Sequence, residues 1–332
     1  MTGMGKSAAY GFCLFVIAAV VFLATGECQA AVTKVGKTTL TKDTTWSGEI
    51  LVTGDVHVPE GMTLTIAPGS KVRFKKLSSA EENLFGTESP YYEQAEIIVT
   101  GKMIARGTVK KPIVFTSAEL KPQAGDWSAL NFLGSRGNVV ENCRIDYAYN
   151  GVHGHGAEIL IKNNRFRHCA VAVSVKREDE AKGTPGFGVS ADITVTGNLI
   201  ENNKGGINVR ISKAVITQNT IRNNKYFGIW IKGACPGEIS RNEITANQKG
   251  IFFFKADIIA ITNNNIRGNL DYNLAIADEQ QKDIQVAGNW FGTTDRAKID
   301  ALIFDGKTDP GVAQILVEPF LVEPVQNAGR QR

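Results

Sequence analysis

Between residues 140 and 291 the chain repeats one short pattern of apolar and polar positions. Each copy has apolar residues five and three positions before a central residue and two positions after it, with polar residues between them. Consecutive central positions are 21 to 25 residues apart, except for one step of 34 residues. The central residues are Cys143, Asn164, Asn198, Asn219, Asn242, Asn264 and Asn289. A repeat of this length with short alternating segments indicates a solenoid.

Alternation of apolar and polar residues predicts β-strands in each repeat, because helices require a period near 3.6 residues. The leucine framework of leucine-rich repeats is absent. We therefore predict three short strands in each coil, each stacked in parallel on the equivalent strand of the coil before. The fold class is all-β, a parallel β-helix.

The repeated asparagines are interpreted as structural. Stacked at one bend, at ~4.8 Å per coil, each amide bonds the next and satisfies backbone groups that the bend leaves unpaired. A second column follows five residues later and contains Asn203, Asn224, Asn247 and Asn269, with Ala148 and Cys169 in the earlier coils.

The N-terminal half adds segments of a recognisable kind. They include GDVHVPEGMTLTIAPGSKVRF at 54–74 and IIVTGKMIARG at 97–107, and the repeats close with NWFG at 289–292. The chain resembles exported bacterial right-handed parallel β-helix repeat proteins of the pectate-lyase-like superfamily. The resemblance implies a right-handed β-helix but no single activity, because the superfamily includes lyases, glycosidases, epimerases, adhesins and maturation factors.

Three domains are predicted. Residues 1–30 are a signal peptide, with Lys6 before the apolar run 10–23 and a cleavage site after Ala30. Residues 31–292 are the β-helix with an N-terminal cap near Trp46. Residues 293–332 are a C-terminal cap and tail. They include a short capping helix over 294–304, where Ile299, Leu302 and Ile303 have helical spacing, with Thr293 or Thr294 as its N-cap. An uncleaved N-terminal anchor is the alternative for residues 1–30.

Composition excludes several classes of protein. The formal net charge is +4, which is mild for a nucleic-acid-binding protein. The predicted mature chain has three cysteines, Cys143, Cys169 and Cys235, and their spacing fits neither a disulfide framework nor a zinc site. No membrane span is expected in the mature chain. We predict export to the periplasm or beyond, and the oligomeric state is left open.

Catalytic machinery is not evident in the sequence. Lyases and glycosidases of this fold use clusters or pairs of acidic residues, and the outward positions before the central residues contain no acidic column. The Gly154-His155-Gly156 segment resembles a polygalacturonase motif, but the accompanying aspartates are missing. We predict no catalytic residue, no cofactor and no metal, while a polysaccharide lyase, hydrolase or epimerase remains an alternative.

The strand after the second asparagine column has an unusual outward face. The run KGIFFFKAD at 249–257 places Phe253 in the core and turns Phe252 and Phe254 outward together. The first outward column is predicted to contain His153, Ala172, Asn208, Trp230, Phe252 and Ala275. The second is predicted to contain His155, Ser174, Arg210, Lys232, Phe254 and Ala277.

These columns predict a binding surface for an extended ligand. Aromatic rings stack on sugars, and the neighbouring Asn, Arg, Lys and His side chains bond hydroxyls or carboxylates. The predicted site contains Trp230, Phe252, Phe254, Lys232, Arg210, Asn208, His155 and His153. The ligand is a polysaccharide or another cell-envelope component; a scaffold or maturation factor for an envelope complex is the alternative.

Two competing interpretations of this face stay open. The insertions at 77–96 and 176–190, or the C-terminal segment 315–325, would bury the aromatic side chains if they lay over them. His153 and His155 are interpreted as exposed histidines, with a copper or zinc site as the alternative. Asp126 and His168 are near in sequence, but no third ligand is obvious.

A stripe of basic residues follows the central positions. It contains Arg144, Arg165, Arg167, Arg222 and Arg267, diluted by Glu201 and Glu243. We interpret it as a solvated face, and attraction of an acidic polysaccharide is the alternative.

Overall fold

The computed structural model describes residues 1–2, 31–78 and 94–331, and these are dominated by short β-strands. The predicted signal peptide and most of the first insertion lie outside the described residues. The part of the chain from Ala31 onward forms one compact unit.

Thirty strands and one helix are found in the described residues. In chain order they are β1 (Thr33–Val35), β2 (Thr38–Thr39), β3 (Thr44–Trp46), β4 (Glu49–Val52), β5 (Val56–Val58), β6 (Thr63–Ile66), β7 (Lys71–Phe74), β8 (Ile97–Val99), β9 (Lys102–Arg106), β10 (Ile113–Ser117), β11 (Trp127–Leu133), β12 (Asn138–Glu141), β13 (Cys143–Asp146), β14 (Ala148–His155), β15 (Glu158–Lys162), β16 (Arg165–Arg167), β17 (Val171–Lys176), β18 (Asp192–Thr196), β19 (Leu199–Glu201), β20 (Gly205–Arg210), β21 (Lys213–Thr217), β22 (Thr220–Arg222), β23 (Phe227–Ser240), β24 (Glu243–Thr245), β25 (Lys249–Thr262), β26 (Asn265–Arg267), β27 (Tyr272–Ile276), β28 (Ile284–Gln285), α1 (Arg296–Asp300), β29 (Ile303–Phe304) and β30 (Ile315–Leu316).

The strands form three parallel ladders that run along the solenoid. The first ladder is a ten-stranded sheet, β1-β4-β7-β10-β13-β16-β19-β22-β24-β26. The second is β2-β5-β8-β11-β14-β17-β20-β23-β25-β27-β29, and the third is β3-β6-β9-β12-β15-β18-β21-β23-β25. The second and third join into one 18-stranded sheet, because β23 and β25 run through both. The predicted parallel β-helix with three strands per coil is confirmed.

The core fills the inside of the coils. Inward residues of paired strands stack in register; Val209, Ile231 and Phe253 form one such column, and all three are fully buried. Each fully buried side chain of this size contributes about 1.5–3 kcal/mol. The apolar cluster extends from Trp46 in β3 to Val317 beyond β30, so one continuous core stabilises the entire solenoid.

The central asparagines form a continuous buried ladder, as predicted. Asn242 shows the arrangement: its Oδ1 accepts from the amide N–H and Nδ2 of Asn219, at 2.9 and 3.0 Å. Its Nδ2 donates to Ile216 O at 2.8 Å and to Asn264 Oδ1 at 2.9 Å. It also donates to Ser240 O in its own coil at 3.0 Å, so the Asn242 side chain pairs backbone groups of two coils that would otherwise be buried without partners.

The second asparagine column is equally regular and ends in a member that was not predicted. The amide N–H of Cys169 donates to Asn203 Oδ1 at 2.9 Å, and the pattern continues coil by coil to Asn269. Asn269 Nδ2 then donates to Asn273 Oδ1 at 3.0 Å. Asn273 closes the column from within the last coil.

The three described cysteines are free and buried, which agrees with the predicted absence of a disulfide framework. None of the helices in the described ranges is long and apolar enough to cross a membrane.

The C-terminal helix is present, but its predicted cap was wrong. α1 is capped by Asp295, whose carboxylate accepts from the N–H groups of Ala297 and Lys298. Thr293 Oγ1 accepts from the Asp295 N–H at 3.1 Å and so supports the capping residue instead. Ile303, which the helical pattern included, lies in β29 and pairs with Leu274.

After β30 the tail turns back along the first ladder. Val325 exchanges hydrogen bonds with the Asn265 side chain in β26. The Arg330 N–H donates to Thr220 Oγ1 of β22 at 3.0 Å, and the Arg330 guanidinium reaches the carbonyls of Asn163 and Asn164. The tail therefore crosses several coils on one side of the solenoid.

Replacement of Asn242 by alanine tests the ladder. We expect Asn242→Ala to lower the free energy of unfolding by about 2–4 kcal/mol, because buried backbone groups of two coils lose their partners. Urea unfolding followed by circular dichroism measures this change. Glu238→Ala, an exposed change in the same coil, serves as the control, and an equal effect of the two would contradict the role of the ladder.

Candidate functional site

The outward face of the second ladder brings the predicted site residues into two neighbouring columns. Cα pairing gives the first column as His153, Ser174, Asn208, Trp230, Phe252, Ala275 and Phe304. It gives the second column as His155, Lys176, Arg210, Lys232 and Phe254. All eight predicted site residues therefore lie on one face.

The predicted register was wrong in one coil, that of β17. Ala172 is fully buried, Ser174 belongs to the first column, and Lys176 takes the place assigned to Ser174. Ala172 stands at the position that Gly151 and Gly206 occupy in the neighbouring coils, so the outward positions of β17 come two residues later than predicted.

The aromatic part of the face is centred on Trp230, which is half-buried. Its ring centroid lies 5.3 Å from that of Phe227 and 5.3 Å from that of Phe252. Lys232 Nζ lies 3.3 Å from the Trp230 ring centroid, and Lys255 Nζ lies 5.2 Å from that of Phe254. The rings are thus bordered by ammonium groups in cation–π geometry.

Sequence reasoning missed further aromatic members of this face. Phe304 extends the first column, and its ring centroid lies 5.5 Å from that of Tyr272. Tyr272 is paired with Lys249, which in turn is paired with Phe227. Phe304 was predicted to lie in the capping helix, so its position in β29 was not recognised.

The described contacts leave the aromatic part of the face partly accessible. Trp230, Phe252 and Phe254 are all half-buried. The hydrogen bonds of the tail go to the first ladder, at Asn265 and Thr220, and so lie on another side of the coil.

The histidine end of the face is buried, so the interpretation of His153 and His155 as exposed residues was wrong. They are 5% and 8% exposed, and their Nε2 atoms are 2.6 Å apart. Asn150 Nδ2 lies 3.4 Å from His153 Nδ1, and Glu178 Oε2 lies 3.3 Å from His155 Nδ1. These contacts fit one proton on His155 Nδ1, where it faces Glu178, and a second proton in the hydrogen bond between the two Nε2 atoms.

Burial sets the charges of this cluster. It lowers the pKa of His155 to about 4, assisted by the nearby Lys176, and lowers the pKa of His153 well below its ordinary value. Burial raises the pKa of Glu178, but hydrogen bonds from Lys176 and from two backbone N–H groups outweigh it and bring that pKa to about 2. At neutral pH the two imidazoles are therefore neutral and the carboxylate is charged.

The second insertion supplies Glu178 and covers the histidines. Lys176 Nζ lies 2.7 Å from Glu178 Oε2, and Glu180 Oε1 accepts from Arg210 Nη2 at 2.9 Å. At Gly186 and Gly134 the backbones come so close that an added Cβ on either would meet the other within 3.0 Å. The insertion therefore covers the histidine end of the face, whereas the open interpretation placed it over the aromatic side chains, which are half-buried.

The histidine pair offers two converging nitrogen ligands. The other predicted neighbours do not join it: Asp126 accepts from Ser117 Oγ, and His168 stacks on Tyr147. Within residues 31–78 and 94–331 no group of three His, Cys, Asp or Glu side chains is arranged to hold a metal ion. The two Nε2 atoms hydrogen-bond each other across 2.6 Å, so they would have to move apart, and one of them lose its proton, before both could hold an ion.

Comparison with known proteins identifies the family. Residues 116–304, more than half of the chain, match the family described as periplasmic copper-binding protein (NosD). The chain belongs to the NosD family. Residues 33–142 match the pectate-lyase-like β-helix domain, so this NosD-family chain is also a member of the predicted superfamily. The periplasmic character of the family agrees with the predicted export.

The sequence similarity to an individual curated protein is low. The chain is 27% identical over 222 residues to the uncharacterized protein YclG of Bacillus subtilis (strain 168), an alignment that covers 61% of this chain and 35% of that protein. This NosD-family chain thus spans about a third of the length of the relative.

Two solved structures align with most of the chain. A variant of the periplasmic alginate epimerase AlgG aligns with a TM-score of 0.47 at 12% identity, covering 83% of this chain and 74% of that one. The unmodified AlgG aligns with a TM-score of 0.37 at 15% identity, covering 83% and 74%.

Titration of Lys232 tests the geometry of the aromatic face. Burial lowers the pKa of Lys232 to about 8, and Arg210 adds to this effect. We expect the Trp230 fluorescence, isolated by subtraction of a Trp230→Phe variant, to titrate near pH 8 as the ammonium over the ring loses its charge. Between pH 8 and 10.5, the ordinary pKa of lysine, Lys232 is protonated in the unfolded chain but not in the folded protein. The contribution of Lys232 therefore makes the free energy of unfolding rise with pH in this range.

The variant Lys232→Met should abolish both the fluorescence titration and this rise in stability. Lys249→Met, which removes the ammonium 5.6 Å from the Phe252 ring centroid, should leave the midpoint unchanged. A midpoint above pH 10 in the wild-type protein would contradict the half-buried placement of Lys232.

Proposed function

We propose that this chain is a periplasmic β-helix protein that binds an extended acidic ligand, a polysaccharide of the cell envelope, along the outward face of the second ladder. The observation that carries the proposal is the row of half-buried rings, Trp230 and Phe252, bordered by the ammonium groups of Lys232 and Lys249. Rings offer stacking surfaces to sugars, and ammonium groups attract their carboxylates.

The dimensions of the face suit an elongated ligand. Neighbouring coils are ~4.8 Å apart, so the row from Trp230 through Phe252 to Phe304 extends for roughly 15 Å across four paired strands. Only part of a polysaccharide would be in contact at any time. Several weak, similar contacts along one direction are what binding of a repeating ligand requires.

Binding without catalysis accounts best for the charges near this face. Glu180 forms an ion pair with Arg210, and Glu279 forms an ion pair with Lys255. Both acids are exposed and engaged by cations of the face. A glycosidase would instead need two carboxyl groups facing each other across the sugar.

Substitution of the stacking residues tests this function. We expect Trp230→Ala and Phe252→Ala each to weaken binding of oligogalacturonate or oligoalginate by about tenfold, the effect of losing ~1.4 kcal/mol of stacking. Isothermal titration calorimetry measures the affinity. Tyr149→Ala, which removes an exposed ring outside the row, is the control. Unchanged affinity in both variants, with folding intact, would reject this face as the binding surface.

A second function, the handling of copper as a maturation factor for an envelope complex, is favoured by the histidine pair. The family is described as copper-binding, and the Nε2 atoms of His153 and His155 converge. These two residues would hold the ion, and Glu178 beside His155 Nδ1 would orient that ring and increase its basicity. A bound Cu(I) ion would supply a site for transfer to another protein.

Copper titration distinguishes this function from the first. We expect the wild-type chain to bind one Cu(I) in anaerobic competition with bathocuproine disulfonate, and His153→Ala and His155→Ala to lose it. X-ray absorption should show nitrogen neighbours alone. His57→Ala, which changes a half-buried histidine in an N-terminal coil, should retain the ion. Equal copper binding by all four proteins would rule out the pair as the site.

A further inference from the structure

Three arginines line a cleft of about 250 Å³ on the first ladder, away from the aromatic face. Arg144 comes from β13, Arg165 from β16, and Arg330 from the tail. Arg144 and Arg165 are directly paired in register, so two like charges lie on neighbouring strands at ~4.8 Å. Such a pair of like charges destabilises the fold unless a negative charge lies nearby.

The other arginines of the predicted basic stripe are compensated within the protein. Arg222 Nη2 lies 2.7 Å from Glu201 Oε2, and Arg167 also forms an ion pair with this buried glutamate. Arg267 Nη2 lies 2.7 Å from Glu243 Oε1. These three arginines therefore form ion pairs with two glutamates, whereas the sequence predicted a solvated face.

The arginines of the cleft are compensated poorly. Arg165 Nε lies 3.5 Å from Glu201 Oε1, and this nitrogen is buried without a hydrogen bond to the described residues. Arg144 forms no salt bridge within the described ranges. Asp146 on the same strand interacts more strongly with His168 and Arg167 than with Arg144.

The tail arginine completes the cleft and is partly desolvated there. Arg330 is half-buried, and its guanidinium donates to the carbonyl oxygens of Asn163 and Asn164 at 3.3 and 3.4 Å. Burial lowers the pKa of Arg330, since no carboxylate lies near enough to offset desolvation. None of the residues that line the cleft is acidic. An anion placed there would therefore compensate three guanidinium groups together.

We propose that Arg144, Arg165 and Arg330 form a binding site for an oxyanion, namely the carboxylate, sulfate or phosphate group of a ligand. Guanidinium groups present forked donors that match the oxygens of such groups. The site is independent of the aromatic face and of the histidine pair. Because Arg330 belongs to the tail, occupancy of the cleft also fixes the tail on the first ladder.

Calorimetry with three probes tests the proposal and identifies the source of the anion. Inorganic phosphate and the methyl glycoside of galacturonic acid, with its carboxylate free, represent a phosphate group and a sugar carboxylate, and methyl galactoside is the neutral control. We expect one of the two anions to bind with one-to-one stoichiometry and the galactoside not to bind. We expect Arg144→Gln and Arg330→Gln each to weaken anion binding at least tenfold, with raised salt weakening it in the wild type.

A folding check and a control variant accompany the binding measurements. Arg144 is exposed, so Arg144→Gln should fold normally even if Arg330→Gln loosens the tail, and thermal unfolding checks both. Arg136→Gln, which removes an exposed arginine 3.9 Å from Glu158, should bind the anion as the wild type does. Absence of binding by both anions, or equal binding by the wild type and the Arg144→Gln variant, would overturn the proposal.

Discussion

The amide hydrogen bond between stacked asparagines is the interaction on which the rest of this structure depends. A coil must turn at the end of each strand, and every turn leaves backbone groups that water cannot reach. Asn219 and Asn242 illustrate the solution: each side chain lies inside the bend and pairs an N–H group and a carbonyl of the preceding coil. The bends are thereby fixed in register, and outward side chains of successive coils lie directly above one another. The aromatic face, the histidine pair and the arginine cleft all depend on this alignment.

Repetition also explains how different chemistry is placed on one regular scaffold. The inward positions are restricted to apolar side chains, while the outward positions are free to vary. The same outward column changes from His153 through Asn208 to Trp230 while the strands stay paired in register. The chemistry of each face of this chain is therefore set by its outward residues.

The repeats in the sequence were sufficient to predict the fold, the structural asparagines and the face that carries the eight site residues, because these follow from a regular period. Irregular features could not be predicted in this way. The outward positions of β17 were misassigned because Ala172 replaces the glycine that marks the bend in the neighbouring coils. His153 and His155 are buried by Glu178 and its neighbours, which belong to a non-repeating insertion. Asp295 caps α1 because local side-chain geometry, not spacing, decides which residue meets the free N–H groups.

The path of the tail has a consequence for how the molecule comes apart. In a solenoid each coil contacts only its neighbours, so loss of order at one end spreads inward one unit at a time. Here Arg330 contacts the backbone of Asn163 and Asn164, residues separated from it by 167 and 166 positions in the chain. The tail thus joins the C-terminal coils to the middle of the solenoid. Unfolding of the C-terminal coils would also break these contacts, which couples distant coils that a one-dimensional array leaves independent.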